Sequence, residues 1–176
     1  MAPIEGNPEN ASVRADGSSV LPVIDGVIVN QPVTHVDERG ALFEIYNGDE
    51  TLGPEPVVYV YQSSVYPGHV KGWNRHVDKT DRYTILHGEV VVLLYDERPD
   101  SATNGLSQRV ALSPRAHRQL VIPKGVWHLF FCSTHEEAHL LNMPTVAYHH
   151  DAPDRVGLPW DTDRIPVDVK KYLPKF

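Results

Sequence analysis

The sequence predicts an all-β chain, a jelly-roll β-barrel followed by an irregular C-terminal segment, and three observations carry that prediction. Apolar residues fall in strand-sized runs rich in Val and Tyr, not in the 3.6-residue period of a helix. Turn signals built on Gly, Pro, Asn and Asp separate these runs at near-regular spacing, the pattern of a sandwich or barrel. Fifteen prolines in 176 residues weigh against a helical bundle, because proline removes a backbone donor and clashes inside a helix.

Residues 1–21 are rich in Pro, Asn, Gly and Ser and lack a sustained apolar period, so they are expected to form a flexible N-terminal arm ahead of one domain, residues 22–176. The strand-sized runs are Val23 to Val29, Ala41 to Tyr46, Val57 to Tyr61, Thr84 to Leu86, Glu89 to Tyr95, Arg109 to Leu112, Gln119 to Ile122, Leu129 to Cys132 and Ala138 to Asn142. Between them lie turn signals such as Asp25-Gly26, Asn47-Gly48, Pro67-Gly68, His87-Gly88, Asn104-Gly105 and Pro123-Lys124-Gly125. Beyond Pro144 the apolar period fails, and Pro153, Gly157, Pro159 and Pro166 interrupt helix and ladder alike, so this segment is expected to wrap over the barrel, with a short helical turn at Asp168 to Tyr172.

Charge and composition exclude several classes of function. With 23 acidic against 16 basic residues the formal charge is −7, which disfavours nucleic acid as a partner. No apolar run approaches the roughly 20 residues of a membrane helix. A lone cysteine, Cys132, rules out an internal disulfide framework and an all-cysteine zinc site within one chain. Met1 to Asn10 lack the basic start and apolar stretch of an export signal, so a cytoplasmic protein is expected.

The densest polar cluster runs from Gly68 to Tyr83, ahead of the Val-rich strand. Asn74 and His76 are two apart, which on a strand points both to one face, and Asp81 with Tyr83 forms a second such pair. His128 opens another apolar run after the Pro123-Lys124-Gly125 turn and is expected to meet the first cluster across a barrel mouth.

The spacing of Gly68, Asn74-Arg75-His76, Asp81 and Gly88 resembles the first cupin motif, and Pro123-x-Gly125-x-x-His128 resembles the second. Over about Val33 to Ile165 the chain is similar to the dTDP-4-dehydrorhamnose 3,5-epimerase branch of the cupins. The carriers are Asp37-Glu-Arg39-Gly40-Ala-Leu-Phe-Glu44, Asp96-Glu-Arg98-x-x-Ser101-x-Thr103, Leu112-Ser113, Gln119 to His128, and Tyr148 with Gly157-Leu-x-Trp160-Asp161. The resemblance implies that Arg39 contacts phosphate, Glu44 faces the ligand and Tyr148 serves as the acid. By its own charge Lys71 suits a diphosphate, and Trp160 offers an aromatic face that near a barrel mouth can stack on a base or sugar.

Two departures from the family pattern bear on function. Where the family's Arg-Gly-Leu-His carries its catalytic base, this chain reads Lys71-Gly72-Trp73-Asn74, and a neutral amide takes no proton at pH 7. The family's lysine near the sugar ketone aligns with Asp81, which reverses the local charge. The resemblance therefore implies a nucleotide-sugar epimerase or isomerase of deoxysugar biosynthesis, acting on a dTDP-4-keto-6-deoxyhexose type of substrate with a changed catalytic set. In that set His76 is the base, Asp81 orients it, Lys71 stabilises the enolate and Tyr148 returns the proton, while Asn74 and His128 bind substrate. No cofactor is expected on this reading. Two alternatives stay open: a metal enzyme holding a divalent transition ion such as iron or manganese on His76, Asp81 and His128, and a sugar-nucleotide-binding protein without turnover. The resemblance further implies a homodimer in which the segment near Val23 to Val29 adds to the partner's sheet.

Overall fold

In a computed structural model, residues 11–15 and 19–175 are described, and the sole helical element among them is one 3-10 turn, Val169–Lys171. The remaining elements are strands: β1 (Ile28–Asn30), β2 (Thr34–Asp37), β3 (Gly40–Phe43), β4 (Tyr61–Val65), β5 (Val70–Arg75), β6 (Asp81–His87), β7 (Val90–Asp96), β8 (Ser107–Leu112), β9 (Gln119–Ile122), β10 (Val126–Cys132), β11 (Ala138–Asn142) and β12 (Val156–Gly157). They form two antiparallel five-stranded sheets, ordered β1-β9-β6-β11-β4 and β12-β5-β10-β7-β8, and a separate β2-β3 hairpin. The jelly-roll expectation holds.

Strand β10 shows how the sequence builds the sandwich. All seven of its residues are buried, because both of its faces are covered. Val126, Phe130 and Cys132 point into the space between the sheets, where they meet Tyr83, Ile85, Val92, Leu94 and Leu140. Trp127, Leu129 and Phe131 point outward into a second cluster with Trp73, Leu93, Ile165 and Val169. A half-exposed strand would alternate apolar with polar; a strand covered on both sides reads as one apolar run. His128 is the polar residue on the inward set, so side-chain alternation alone aims it into the barrel. The same alternation turns Trp73 outward from β5, leaving Asn74 on the inward face and His76 at the strand's end.

The C-terminal segment does wrap. Ile165 and Val169, each 3% exposed, cap the outer face of the second sheet, and Trp73 Nε1 donates to the carbonyl of Trp160 (3.2 Å). Close approach of β5 to β10 depends on Gly72: a Cβ there would lie 2.6 Å from the His128 carbonyl oxygen and 2.7 Å from Leu129 Cα. Its φ of +117° also suits no L side chain. The pairing register shifts at this place, between His128 and Leu129.

Several local expectations are corrected. Val57 to Val60 are not a strand; β4 begins at Tyr61. The run Val23 to Val29 shrinks to β1, because Asp25-Gly26 turns the chain and Ile24 and Val27 plug into the core as anchors. The polar site cluster contains a full strand, β5, which its Lys, Gly, Asn and Arg content disguises. Of the arm expected at 1–21, Met1 to Asn10 and residues 16–18 lie outside the described residues. The motif Asp96 to Thr103 is a structural knot: the buried Asp96 carboxylate accepts from Arg98 Nε (2.8 Å), Arg98 Nη2 (2.8 Å), Ser101 Oγ (2.6 Å) and Thr103 Oγ1 (2.7 Å). Burial opposes ionisation of Asp96, but these donors outweigh it and hold the carboxyl well below its ordinary value.

Candidate functional site

A cavity of about 790 Å³ opens between the sheets, within the range of small-molecule sites. Its floor is supplied by β5, β6 and β10, the strands whose inward residues are polar where the neighbouring positions are apolar. His76 follows the end of β5, Asp81 and Tyr83 start β6, and His128 comes from β10. Asn74 pairs with His128 across β5 and β10, and Tyr83 with Asn142 across β6 and β11, so ladder register brings these side chains together.

Asp81, 1% exposed, is the hub. The Nε2 atoms of His76 and His128 lie 3.2 and 3.4 Å from its Oδ2, and Tyr83 donates its hydroxyl to the same oxygen at 3.3 Å. Asn142 Nδ2 donates to Oδ1 (2.9 Å) and to the Tyr61 hydroxyl (2.8 Å), and Lys79 Nζ stands 3.9 Å from Oδ1. A carboxylate this deep persists only with such partners, since an unpaired buried charge costs several kcal/mol.

Electrostatics follow from that arrangement. Burial works against ionisation of Asp81, yet the adjacent His76 ring, with His128 and Lys79 beside it, holds its carboxyl well below the carboxylate range. Burial drives His128 down to about 4, with Asp81 only partly opposing, so its ring is neutral at pH 7. Tyr61 is pushed up to about 12, and Tyr83 well above its ordinary value, first by burial and then by the Asp81 charge.

The imidazoles are aimed from behind. His128 Nδ1 lies 3.2 Å from the Val126 carbonyl, and His76 Nδ1 rests on the carbonyl of Asp154. Since a carbonyl only accepts, each Nδ1 carries hydrogen and each Nε2 faces Asp81. Asp154 also fixes the loop between β5 and β6: its carboxylate accepts the backbone N–H groups of Val77 (2.7 Å), Asp78 (3.0 Å) and Lys79 (3.0 Å). Burial opposes it, but these three donors lower the Asp154 carboxyl.

Around the mouth the walls are cationic and aromatic. The charged lining residues are three cations, Lys71, Lys79 and Arg155, and one carboxylate, Asp81, a sign opposite to the −7 of the whole chain. Tyr59, Tyr61, Tyr148 and His150 complete the rim, with Tyr148 43% exposed and edge-on to His150.

Six expected site residues, Lys71, Asn74, His76, Asp81, His128 and Tyr148, thus line one cavity. Three others stand apart from it within the single chain. Arg39 sits at the exposed β2-β3 turn paired with Asp37, because a two-residue hairpin turn projects it from the barrel. Glu44 accepts from Asn47 Nδ2 beside a smaller cleft. Trp160 packs with the outer apolar cluster, drawn there by Trp73 and Ile165. Lys79, Tyr61, Asn142, Asp154 and Arg155 join the site without being expected from sequence. Lys79 lies inside the polar cluster, where alternation with Asp81 is a usable signal, whereas the Asp154 contacts span 75 to 78 residues and leave no local trace.

Comparison with known proteins shows the family to which this barrel belongs. Residues 22–175 match the family model described as dTDP-4-dehydrorhamnose 3,5-epimerase. The chain is 34% identical over 145 residues to a probable low-salt glycan biosynthesis epimerase, Agl13, of Haloferax volcanii, covering 80% of this chain and 91% of that protein. It is 33% identical over 143 residues to the spore coat polysaccharide biosynthesis protein SpsL of Bacillus subtilis, covering 81% and 94%. Among solved structures, a dTDP sugar isomerase of Desulfovibrio desulfuricans superposes with a TM-score of 0.75 at 27% identity, over 82% of this chain and 91% of that one. The Bacillus anthracis dTDP-4-dehydrorhamnose 3,5-epimerase, solved with TDP and pyrophosphate bound, gives 0.72 at 25% identity over 81% and 84%. With its barrel shared and residues 22–175 matched, the chain belongs to the dTDP-4-dehydrorhamnose 3,5-epimerase family of sugar isomerases.

Proposed function

We propose that this protein is a nucleotide-sugar epimerase or ketoisomerase of carbohydrate biosynthesis, acting on a 4-keto-6-deoxyhexose carried by a nucleoside diphosphate. The observation that carries the reading is the His76–Asp81 couple, buried at the floor of a cavity whose walls are cationic in an acidic chain. Lys71 and Arg155 line the cavity and supply positive charge for the diphosphate, and the tyrosines of the rim supply faces for the sugar and base.

The chemistry follows from the ring nitrogens. With Nδ1 of His76 hydrogen-bonded to the Asp154 carbonyl, Nε2 is the atom that takes a proton from the carbon beside the ketone. The C–H electron pair becomes the enolate double bond, and the carbonyl oxygen takes the negative charge. Asp81, 3.2 Å away, stabilises the imidazolium that forms, and Lys79, beside Asp81, stabilises the oxyanion. Return of a proton from the Tyr148 hydroxyl to the opposite face inverts the centre; the proton on His76 Nε2 then leaves to water and water reprotonates the Tyr148 phenolate, which restores both groups. Asn74 contributes a neutral hydrogen-bonding wall and His128 a neutral acceptor. General-base assistance of this kind is worth roughly 100-fold to 10,000-fold.

The test is incubation with dTDP-4-keto-6-deoxyglucose in deuterated water. Deuterium entering the carbons beside the ketone, and lost in His76→Gln, is the expected result. Tight binding with no exchange overturns the reading in favour of a binding protein.

A further inference from the structure

We infer that His76, Asp81 and His128 form a binding site for one divalent transition-metal ion, and that an ion held there blocks proton transfer at His76. Three donor atoms converge: both Nε2 atoms approach one carboxylate oxygen at 3.2 and 3.4 Å, and all three lie within 4.8 Å of one another. Ligands held roughly 2.0 to 2.2 Å from a tetrahedral ion are separated by roughly 3.3 to 3.6 Å, close to the two nitrogen-to-carboxylate separations seen here.

The backs of the rings are already arranged as metal ligands require. Metal-binding histidines give their second N–H to a carbonyl or carboxylate, which fixes the tautomer and aims the lone pair. Here His128 Nδ1 is hydrogen-bonded to the Val126 carbonyl and His76 Nδ1 to the Asp154 carbonyl. His128 Nε2, in a side chain 2% exposed, is left without any hydrogen-bond partner. A bare lone pair facing a carboxylate oxygen at 3.4 Å is a repulsive contact that a cation between them converts into two bonds.

The surroundings admit such an ion. Lys79 stands on the opposite carboxylate oxygen, 3.9 Å from Oδ1, so its charge weakens the site without occupying it. Tyr83 donates to Oδ2 but uses only one of its lone pairs. Two imidazoles with one carboxylate suit zinc, cobalt(II), iron(II) or manganese, and all three residues line the cavity, which gives an ion access to them. An ion on Nε2 of His76 occupies the lone pair that the epimerase reading needs, so that part of the inference rests on the reading, whereas binding itself does not.

Titration of the chelator-treated 176-residue chain with cobalt(II), without substrate, tests the site. One ion per chain with visible absorption bands of a low-coordinate nitrogen and oxygen site is expected. His128→Gln should weaken binding about tenfold or more, while His87→Gln, a surface histidine paired with Glu136, leaves it unchanged. Should His128→Gln fail to fold, X-ray absorption on the cobalt-loaded wild type decides instead, with two imidazole ligands expected. No stoichiometric binding, binding undiminished by His128→Gln, or fewer than two imidazoles overturns the site. Cobalt is also expected to suppress deuterium exchange into the keto sugar. Exchange undiminished at full occupancy overturns the inhibition, and exchange absent even from the metal-free chain defeats the epimerase reading while leaving the site standing.

Discussion

Replacing Gly72 by alanine should cost far more than replacing Gly68, although both glycines have positive φ and lie within five residues of each other along the chain. At Gly68, φ is +76° and nothing lies within 4 Å of a methyl added there, so only the left-handed backbone is penalised, by about 1 to 2 kcal/mol less the 0.4 to 1 returned by restricting the unfolded chain. At Gly72 the methyl meets the His128 carbonyl oxygen at 2.6 Å and Leu129 Cα at 2.7 Å, both main-chain atoms of a central strand that cannot swing aside. Overpacking adds about 1 to 3 kcal/mol to the backbone penalty, giving, after the same unfolded-chain return, roughly 1 to 4.6 kcal/mol in total. For a chain of this size that is a fall in Tm of roughly 2 to 18 °C. Urea unfolding followed by tryptophan fluorescence measures both variants, and nucleotide binding follows the site, because relief of the clash moves β10 and His128 with it. Equal stability losses at the two positions would refute the reasoning that β5 and β10 are held in contact by a missing side chain.

Asp81→Asn keeps the shape of the hub but removes the charge that stabilises the imidazolium, so deuterium exchange should fall by roughly 100-fold to 10,000-fold with nucleotide binding retained; an unchanged rate contradicts Asp81's role. Lys71→Ala and Arg155→Ala should each weaken dTDP binding by about tenfold and flatten its dependence on salt, read by calorimetry, if those cations meet the diphosphate. Asp96 is depressed below its ordinary 3.8 in the folded chain, so its stabilisation is present above that pH and is lost as pH falls from there toward the folded value. Asp96→Asn should therefore be less stable than wild type at pH 7 and lose less on acidification, as measured by urea midpoints between pH 7 and pH 3.

Much of the barrel is legible in the sequence because its information is local. Runs such as Gln119 to Ile122 and Ala138 to Asn142 coincide with strands β9 and β11, and the Pro123-Lys124-Gly125 turn sets the entry of β10. His76, Asp81 and His128 stand out because alternation puts each on the inward face. What sequence does not deliver depends on distant contacts. Strand β5 reads as polar because it lines a site, and the role of Asp154 arises only when the C-terminal wrap lands on the loop after β5. Arg39 and Glu44 carry family motifs, yet the β2-β3 hairpin and the adjoining cleft hold them away from the cavity of their own chain. Asp81 alone also gives the wrong sign of charge for the site, since Lys79 stands beside it and restores a cation.

Where a keto sugar sits relative to His76 decides the chemistry most directly. A crystal structure with a dTDP-linked 4-keto sugar, or its unreactive 4-hydroxy analogue, is predicted to place a carbon beside C4 within about 3 to 3.5 Å of His76 Nε2, with the diphosphate on Lys71 and Arg155. A sugar bound with those carbons turned away from His76, or a nucleotide seated outside this cavity, would contradict it.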